Sequence, residues 1–114
     1  MTILSSSTIA GDKVVNRNGE GLGDIKDLMI DVDSGRVAYA VLEFGGFMGL
    51  GSKLFAVPLS AMEPDTQNKC FVFDQSKESL KNAPGFDKDD WPTFTDRDWG
   101  SSVHQYYGVR PYWE

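Results

Sequence analysis

The residues with the most suggestive spacing for chemistry lie in a glycine-rich segment, Gly45 to Gly51, followed by Ser52 and Lys53. A phosphate-binding loop of the P-loop type needs lysine directly after its last glycine, then serine or threonine, and then a helix. Here serine precedes lysine, and the next segment, Lys53 to Leu59, is typical of a strand, so no helix N-terminus faces the loop. The order argues against nucleotide binding. The glycines are interpreted as positive-φ positions of a wide hairpin loop.

The apolar side chains within this loop are candidates of a different kind. Phe47, Met48 and Leu50 stand between glycines, where they either fold back onto the domain or form an exposed contact patch. We predict that these three residues are interaction residues.

An acidic stretch, Asp31 to Gly35, resembles the start of a calcium-binding loop. The resemblance ends there, because Arg36 stands where such a loop needs glycine and Leu42 where it needs a bidentate glutamate. The segment is interpreted as a hairpin turn in which aspartate bonds to its own backbone. Asp24, Asp27 and Asp31 together suggest at most a weak cation site, and solvated strand edges are the favoured interpretation. We therefore predict no metal and no cofactor.

The only cysteine, Cys70, and the only histidine, His104, are the remaining reactive side chains. One cysteine excludes an intramolecular disulfide and a zinc site built on several cysteines. A nucleophilic pair of the two would need a third, orienting group, and the sequence suggests none. Cys70 is predicted to be a small packing residue in a strand, and His104 a helix-surface residue. The sequence therefore predicts a protein that is not an enzyme.

Length and charge narrow the function classes further. The chain has 114 residues, a hydrophobic fraction of 40% and a net charge of −6, with a pI of about 4.6, which fits one small folded domain. An acidic surface repels phosphate backbones, so direct nucleic-acid binding is not expected. The sequence has neither a secretory signal nor an apolar segment long enough to insert into a membrane. The expected location is the cytoplasm.

The elements that position these residues are mostly short strands. Asn16 to Gly21 and Asp33 to Gly35 contain hairpin-turn signals. Between them, the apolar residues of the strand Leu22 to Val32 change parity, which predicts an irregularity near Lys26-Asp27. The next strand, Arg36 to Phe44, is apolar at both parities and is therefore predicted to be central or to belong to a sheet that curls into a barrel.

A change of pattern follows the last predicted strand, which ends near Phe73. Ser76 is predicted to cap a short helix, and Thr95 to Asp98 has the form of a capping box. Trp99, Val103 and Tyr106 then fall on one helical stripe. We predict a domain over residues 1–85, with its core at about 9–73, and a C-terminal extension over residues 86–114 with a short helix.

The extension is acidic and unusually rich in aromatic residues. Trp and Tyr are enriched at interfaces, and each buried ring is worth roughly 1.5–3 kcal/mol. Two alternatives remain open: the extension wraps its own domain, or it reaches a second subunit. The tail residues predicted to make these interactions are Trp91, Trp99, Tyr106, Tyr107 and Trp113.

Three segments together resemble the PRC-barrel family. Val14 to Ile25 is similar to the opening hairpin of these domains, and Asp27 to Tyr39 to their second hairpin. Phe44 to Pro58, which contains the glycine-rich loop, is the most specific part. The resemblance implies a mainly β fold, a small antiparallel PRC-type β-barrel, here followed by a short helix and an aromatic-rich C-terminal tail.

The same resemblance bears on function. The family is known from the cytoplasmic part of the photosynthetic reaction-centre H subunit, from a ribosome-maturation factor and from free-standing bacterial proteins. Its members resemble scaffolds and docking modules and share no catalytic residues. Because the sequence contains neither the membrane helix of the H subunit nor the N-terminal domain of the ribosome factor, it is most similar to the free-standing class.

The leading hypothesis is therefore a non-enzymatic protein-interaction or assembly module that associates with itself and with a protein partner. The alternative is a small-molecule or ion-binding domain that uses the glycine-rich loop or the acidic strand. A ribosome- or RNA-associated factor is the less favoured third hypothesis, because the chain is acidic.

Overall fold

The computed structural model describes residues 1–45 and 53–114 of the chain. In chain order its elements are α1 (Ser6–Ile9), β1 (Lys13–Val15), β2 (Gly21–Asp31), β3 (Arg36–Phe44), β4 (Lys53–Pro58), a 3-10 turn (Leu59–Ala61), β5 (Met62–Asp65), β6 (Cys70–Phe73), α2 (Lys77–Lys81) and α3 (Arg97–Tyr107). These six strands form one sheet in the order β4-β3-β2-β1-β6-β5, a half-barrel. The mainly β architecture expected from the sequence is confirmed.

The sheet is mixed rather than antiparallel throughout. Four neighbouring strand pairs are antiparallel, but β1 runs parallel to β6, with Val14 opposite Phe71. Antiparallel neighbours are joined by short turns that leave a local sequence signal, whereas a parallel pair requires a long crossover. Here the crossover contains four other strands, so no local pattern indicated the pairing.

The predicted hairpin turns form as their residue types require. Before β2, the side-chain oxygen of Asn16 accepts the backbone N–H groups of Asn18 and Glu20, and Gly19 has a φ of 82°. Before β3, Asp31 accepts the backbone N–H groups of Asp33 and Ser34. The interpretation of the acidic stretch as a self-bonded turn is therefore confirmed.

Strand β2 contains the irregularity that its apolar pattern predicted, between Ile25 and Asp27. A second register shift, between Met29 and Ile30, was not predicted. Opposite β1, Gly23 adopts a φ of 137°, and a side chain there would collide with the backbone carbonyl oxygen of Glu43. Register shifts of this kind are typical of a bent strand. Strand β2 pairs with β1 through residues 21–24 and with β3 through residues 24–31.

Strand β3 lies inside the sheet, between β2 and β4, as its two-sided apolar pattern predicted. Its middle residues are buried on both faces. Tyr39 is the largest of them, has no exposed surface and contacts aromatic rings of the C-terminal extension. The hydrophobic core is therefore shared between the sheet and the extension.

The predicted N-terminal caps of α2 and α3 have different outcomes. Ser76 caps α2 by accepting the backbone N–H of Ser79, as expected. The cap of α3 was predicted one residue too early: Asp96, rather than Thr95, accepts the backbone N–H groups of Asp98 and Trp99. A carboxylate at this position also interacts favourably with the positive end of the helix, which a hydroxyl does not.

The buried face of α3 also differs from the predicted stripe of Trp99, Val103 and Tyr106. Its buried residues are Gly100, Val103, His104 and Tyr107. Trp99 is half-buried, and Tyr106 keeps 42% of its surface exposed. The helix contacts β4. Its inward face shares Val103 with the predicted stripe but is rotated around the helix axis away from Trp99 and Tyr106.

Candidate interaction surface

The predicted loop residues Phe47, Met48 and Leu50 lie outside the described residues. Their role in contacts stays a prediction. The interaction surface is therefore built from the parts of the chain that the structure describes, beginning with the C-terminal extension.

The extension packs on its own sheet. Phe86 exchanges two backbone hydrogen bonds with Leu54, 2.8 and 2.9 Å long, on the edge strand β4. An unpaired sheet edge is a template for association with another chain, and this contact occupies part of that edge. Further along, Tyr107 is buried with its ring centroid 5.3 Å from that of Phe73. Of the two alternatives left open by the sequence, the structure shows the first.

Most of the predicted tail residues contribute to this packing. Trp99 has its ring centroid 5.3 Å from that of Tyr39, and Trp113 has its centroid 5.4 Å from that of His104. Trp91 and Tyr106 remain exposed by 37% and 42%, although each donates a hydrogen bond to a backbone carbonyl of the extension or of α2. Whether any of the five also contacts a partner stays a prediction.

His104 is fully buried, so its predicted position on the helix surface was wrong. Its Nδ1 lies 2.7 Å from the carbonyl oxygen of Gly100, and its Nε2 accepts the backbone N–H of Tyr112 at 3.1 Å. Because a carbonyl can only accept and an amide N–H can only donate, these partners fix the neutral tautomer with hydrogen on Nδ1. The ring therefore holds the C-terminal residues against α3.

Tyr112 links the chain terminus to the β2–β3 turn. Its hydroxyl donates to Asp31 Oδ2 over 2.9 Å, and its carbonyl oxygen accepts from Arg36 Nη1 over 2.9 Å. The hydroxyl bond lowers the pKa of Asp31 and, after burial, is a cause of the raised pKa of Tyr112. We refer to this set of contacts, made by Asp31, Arg36 and Tyr112, as the C-terminal latch.

Beside the latch, two large apolar side chains face solvent. Ile30 is exposed by 51% and Val32 by 84%. We call this pair the turn patch. The second register shift of β2, between Met29 and Ile30, lies directly before them. Only the tertiary pairing of β2 with β3 reveals that Ile30 faces outward.

A cavity of about 350 Å³ adjoins the turn patch. Three aromatic side chains, Phe94, Tyr112 and Trp113, line it together with four charged residues, Asp31, Asp33, Asp96 and Arg97. We call it the acidic-aromatic cavity. The sequence missed it because its walls come from the region of the β2–β3 turn and from two segments of the extension, residues 94–97 and 112–113, which follow more than 50 residues later in the chain.

A larger groove, of about 880 Å³, lies near the opposite end of β2. Its charged lining residues are Lys13, Lys77, Lys81 and Asp24, and the buried Leu22 also lines it. In a chain with a net charge of −6, this is a local excess of positive charge. The groove can accommodate an anionic group.

The reactive residues do not form a catalytic arrangement within residues 1–45 and 53–114. Cys70 lines a separate cavity with Leu4 and Thr8, and burial raises the pKa of its thiol, which disfavours the nucleophilic thiolate. None of the hydrogen bonds and ring contacts of His104 involves Cys70. Within the same ranges, no three His, Cys, Asp or Glu residues are grouped to hold a metal ion. No helix there has the length and hydropathy required to cross a membrane.

The six-stranded half-barrel sheet, whose core is shared with the aromatic extension, defines a small β-barrel-type domain. Its turn patch and its larger groove lie near opposite ends of β2. The chain belongs to the PRC-barrel domain family, whose model matches residues 1–80. The family predicted from the sequence is confirmed.

Among solved structures, a Pseudomonas aeruginosa protein described as a 16S ribosomal RNA processing protein, RimM, is similar, with a TM-score of 0.43 and 16% identity. The match covers 68% of this chain and 47% of the Pseudomonas chain, less than half of that protein. No curated protein matches the chain.

Proposed function

We propose that this PRC-barrel protein is a non-catalytic protein-interaction module whose docking surface is the turn patch. The observation that carries the proposal is the exposure of Ile30 and Val32, by 51% and 84%, next to a formed cavity. Exposed adjacent apolar side chains cost solubility and are typical of contact surfaces. The C-terminal latch fixes the turn beneath them, so little conformational entropy would be lost on docking.

The test is affinity capture from the native cell, followed by mass spectrometry. The bait carries Ile30→Ser and Val32→Ser, and its matched control carries Ile3→Ser, which removes an apolar side chain that is 80% exposed elsewhere. We expect specific partners to be lost from the double variant and retained by the control, with both variants folded by circular dichroism. Capture of the same proteins by both baits would contradict the proposal.

The proposal includes self-association, in which a second copy of this chain occupies the docking surface. Light scattering on the full chain tests it, with wild type and the double variant measured over a range of concentrations. Deleting Arg97–Glu114 would not be a clean test, because α3 contributes Val103 and Tyr107 to the core. A wild-type monomer at every concentration would eliminate self-association and leave a different protein as the occupant.

The lysine-lined groove favours a second candidate function, binding of a small anionic molecule. A thermal-shift screen with nucleotides, and with quinones and divalent cations as uncharged and cationic controls, separates it from the first, because a ligand that binds only the folded state raises the unfolding temperature. A saturable shift that disappears in the Lys77→Gln/Lys81→Gln variant would support the groove as a ligand site.

A further inference from the structure

The acidic-aromatic cavity carries an excess of negative charge. Of the charged lining residues within the described part of the chain, Asp31, Asp33 and Asp96 are acidic and Arg97 alone is basic. The Tyr112 hydroxyl lowers the pKa of Asp31, so this carboxylate stays ionised. Asp33 uses its backbone N–H in the turn but makes no side-chain hydrogen bond or ion pair within the described residues, so its carboxylate is available to a ligand.

The aromatic side of the cavity already interacts with a cation from this chain. The guanidinium carbon of Arg97 lies 5.2 Å from the ring centroid of Trp113. A cation within about 6 Å of an aromatic ring is attracted by the negative face of its π system. The walls of the cavity therefore combine two features that attract positive charge, carboxylates and aromatic rings.

The turn patch restricts the occupant further. Ile30 and Val32 line the same cavity, so an occupant that fills it meets apolar side chains and carboxylates together. A small inorganic cation would satisfy the charge and leave both apolar side chains in water. A second copy of this chain has an overall charge of −6, so an acidic surface attracts it less than it attracts a basic partner.

From this charge complementarity we propose that the cavity docks a basic segment of a partner protein, with an arginine or lysine in the cavity and apolar neighbours on the turn patch. This inference rests on the proposed function and adds the chemical character of the protein partner, which is basic. Arginine suits the site better than lysine, because its planar group pairs with carboxylates and stacks on aromatic rings.

The probe is a synthetic peptide with the order Leu-Arg-Leu between glycines, and its control is the same peptide with citrulline, which has the shape of arginine but no charge. Backbone amide and indole N–H shifts, followed by NMR on the full chain, report where each peptide binds. We expect saturable shifts at Val32, Asp33 and Trp113 with the arginine peptide. Binding should weaken as salt is raised from about 50 to about 300 mM, because the charges lie near solvent.

Three charge variants are expected to change the affinity for the arginine peptide in three different ways. Asp33→Asn should weaken binding of the arginine peptide about two- to fivefold, and Arg97→Gln should tighten it by a similar factor. Asp89→Asn, the same change on an exposed residue that lines neither this cavity nor the lysine-lined groove, should leave it unchanged. All three residues are exposed, and circular dichroism verifies that each variant is folded.

Equal binding of the two peptides, shifts away from the cavity, or unchanged affinity in Asp33→Asn would overturn the inference. Absence of saturable binding at millimolar peptide would do so as well. These failures are distinguishable from failure of the proposed function, because the bait experiment with Ile30→Ser and Val32→Ser depends on no assumption about the charge of the partner.

Discussion

The substitution Gly100→Ala tests whether the C-terminal extension packs on its own sheet. In an exposed helix this change is stabilising, because alanine is favoured over glycine by about 1 kcal/mol. Here a Cβ atom would lie 2.9 Å from the Tyr39 hydroxyl oxygen and 3.0 and 3.1 Å from two ring carbons of Trp113. Neither ring is free to move away, since Tyr39 is fully buried and Trp113 packs against His104 and Tyr112.

The two effects oppose each other, and their magnitudes decide the sign. Overpacking a closely packed site costs about 1–3 kcal/mol, against the gain of about 1 kcal/mol in helix propensity. We expect a net loss of about 1 kcal/mol in the free energy of unfolding. For a domain of this size the unfolding temperature should fall by about 4 °C.

Urea and thermal unfolding, followed by far-UV circular dichroism, measure this change. Ser101→Ala is the matched control, because Ser101 is the next residue in the helix and is exposed, so only the small gain in propensity should appear. In the double variant Tyr39→Phe/Gly100→Ala the contact with the hydroxyl is removed, and the two changes should couple by about 0.5–1 kcal/mol. Stabilisation by Gly100→Ala, equal to or larger than that of Ser101→Ala, would refute the close packing of α3 against Tyr39 and Trp113.

Three further predictions concern the sheet, the core and the latch. Gly23→Ala should lower the free energy of unfolding by about 2–4 kcal/mol in urea titrations, because its φ of 137° and the adjacent carbonyl exclude a side chain; Gly21→Ala, with nothing within 4 Å, should change it by less than about 1 kcal/mol. Burial raises the pKa of Tyr39 to about 12, above that of an unfolded tyrosine near 10, so its stabilising contribution is complete below pH ~10 and is lost as pH rises to ~12. Urea midpoints across that range should fall in wild type by the equivalent of about 2–3 kcal/mol more than in Tyr39→Phe. Tyr112→Phe removes the hydroxyl that lowers the pKa of Asp31, so an NMR titration of that carboxyl should show a higher pKa in the variant.

Each of these predictions has an outcome that would contradict it. Equal loss of stability in both glycine variants would mean that the backbone at Gly23 is not restricted. An alkaline decline of the same size in Tyr39→Phe would exclude Tyr39 as its source. An unchanged pKa of Asp31 in Tyr112→Phe would show that the hydroxyl does not bond to it in solution.

The hydroxyl of Tyr39 has no hydrogen-bond partner within the described residues, and neither has that of Tyr107. A buried hydroxyl without a partner loses its hydration and gains nothing in exchange. Tyr39→Phe should therefore be tolerated at neutral pH, which makes it a suitable background for the alkaline experiment and for the double variant with Gly100→Ala.

Features that depend on a few adjacent residues could be predicted from the sequence. The turn before β3, the irregularity at Lys26-Asp27, the central position of β3 and the cap at Ser76 are all of this kind. Each arises from backbone freedom, side-chain length or alternation, and each acts over at most a few residues. The family assignment, which rests on the order of such turns, was correct for the same reason.

Features that join distant segments were decided only by the tertiary structure. The hydroxyl bond from Tyr112 to Asp31 connects residues 81 positions apart, and β1 finds its parallel partner beyond four other strands. The sequence showed that the extension is aromatic, yet its pattern was equally compatible with packing on a second subunit. His104 was misplaced because its burial depends on acceptor and donor groups supplied by two separate parts of the extension. The composition of the extension indicates that its aromatic side chains pack against other groups. Only the folded chain determines which groups lie close enough to contact them.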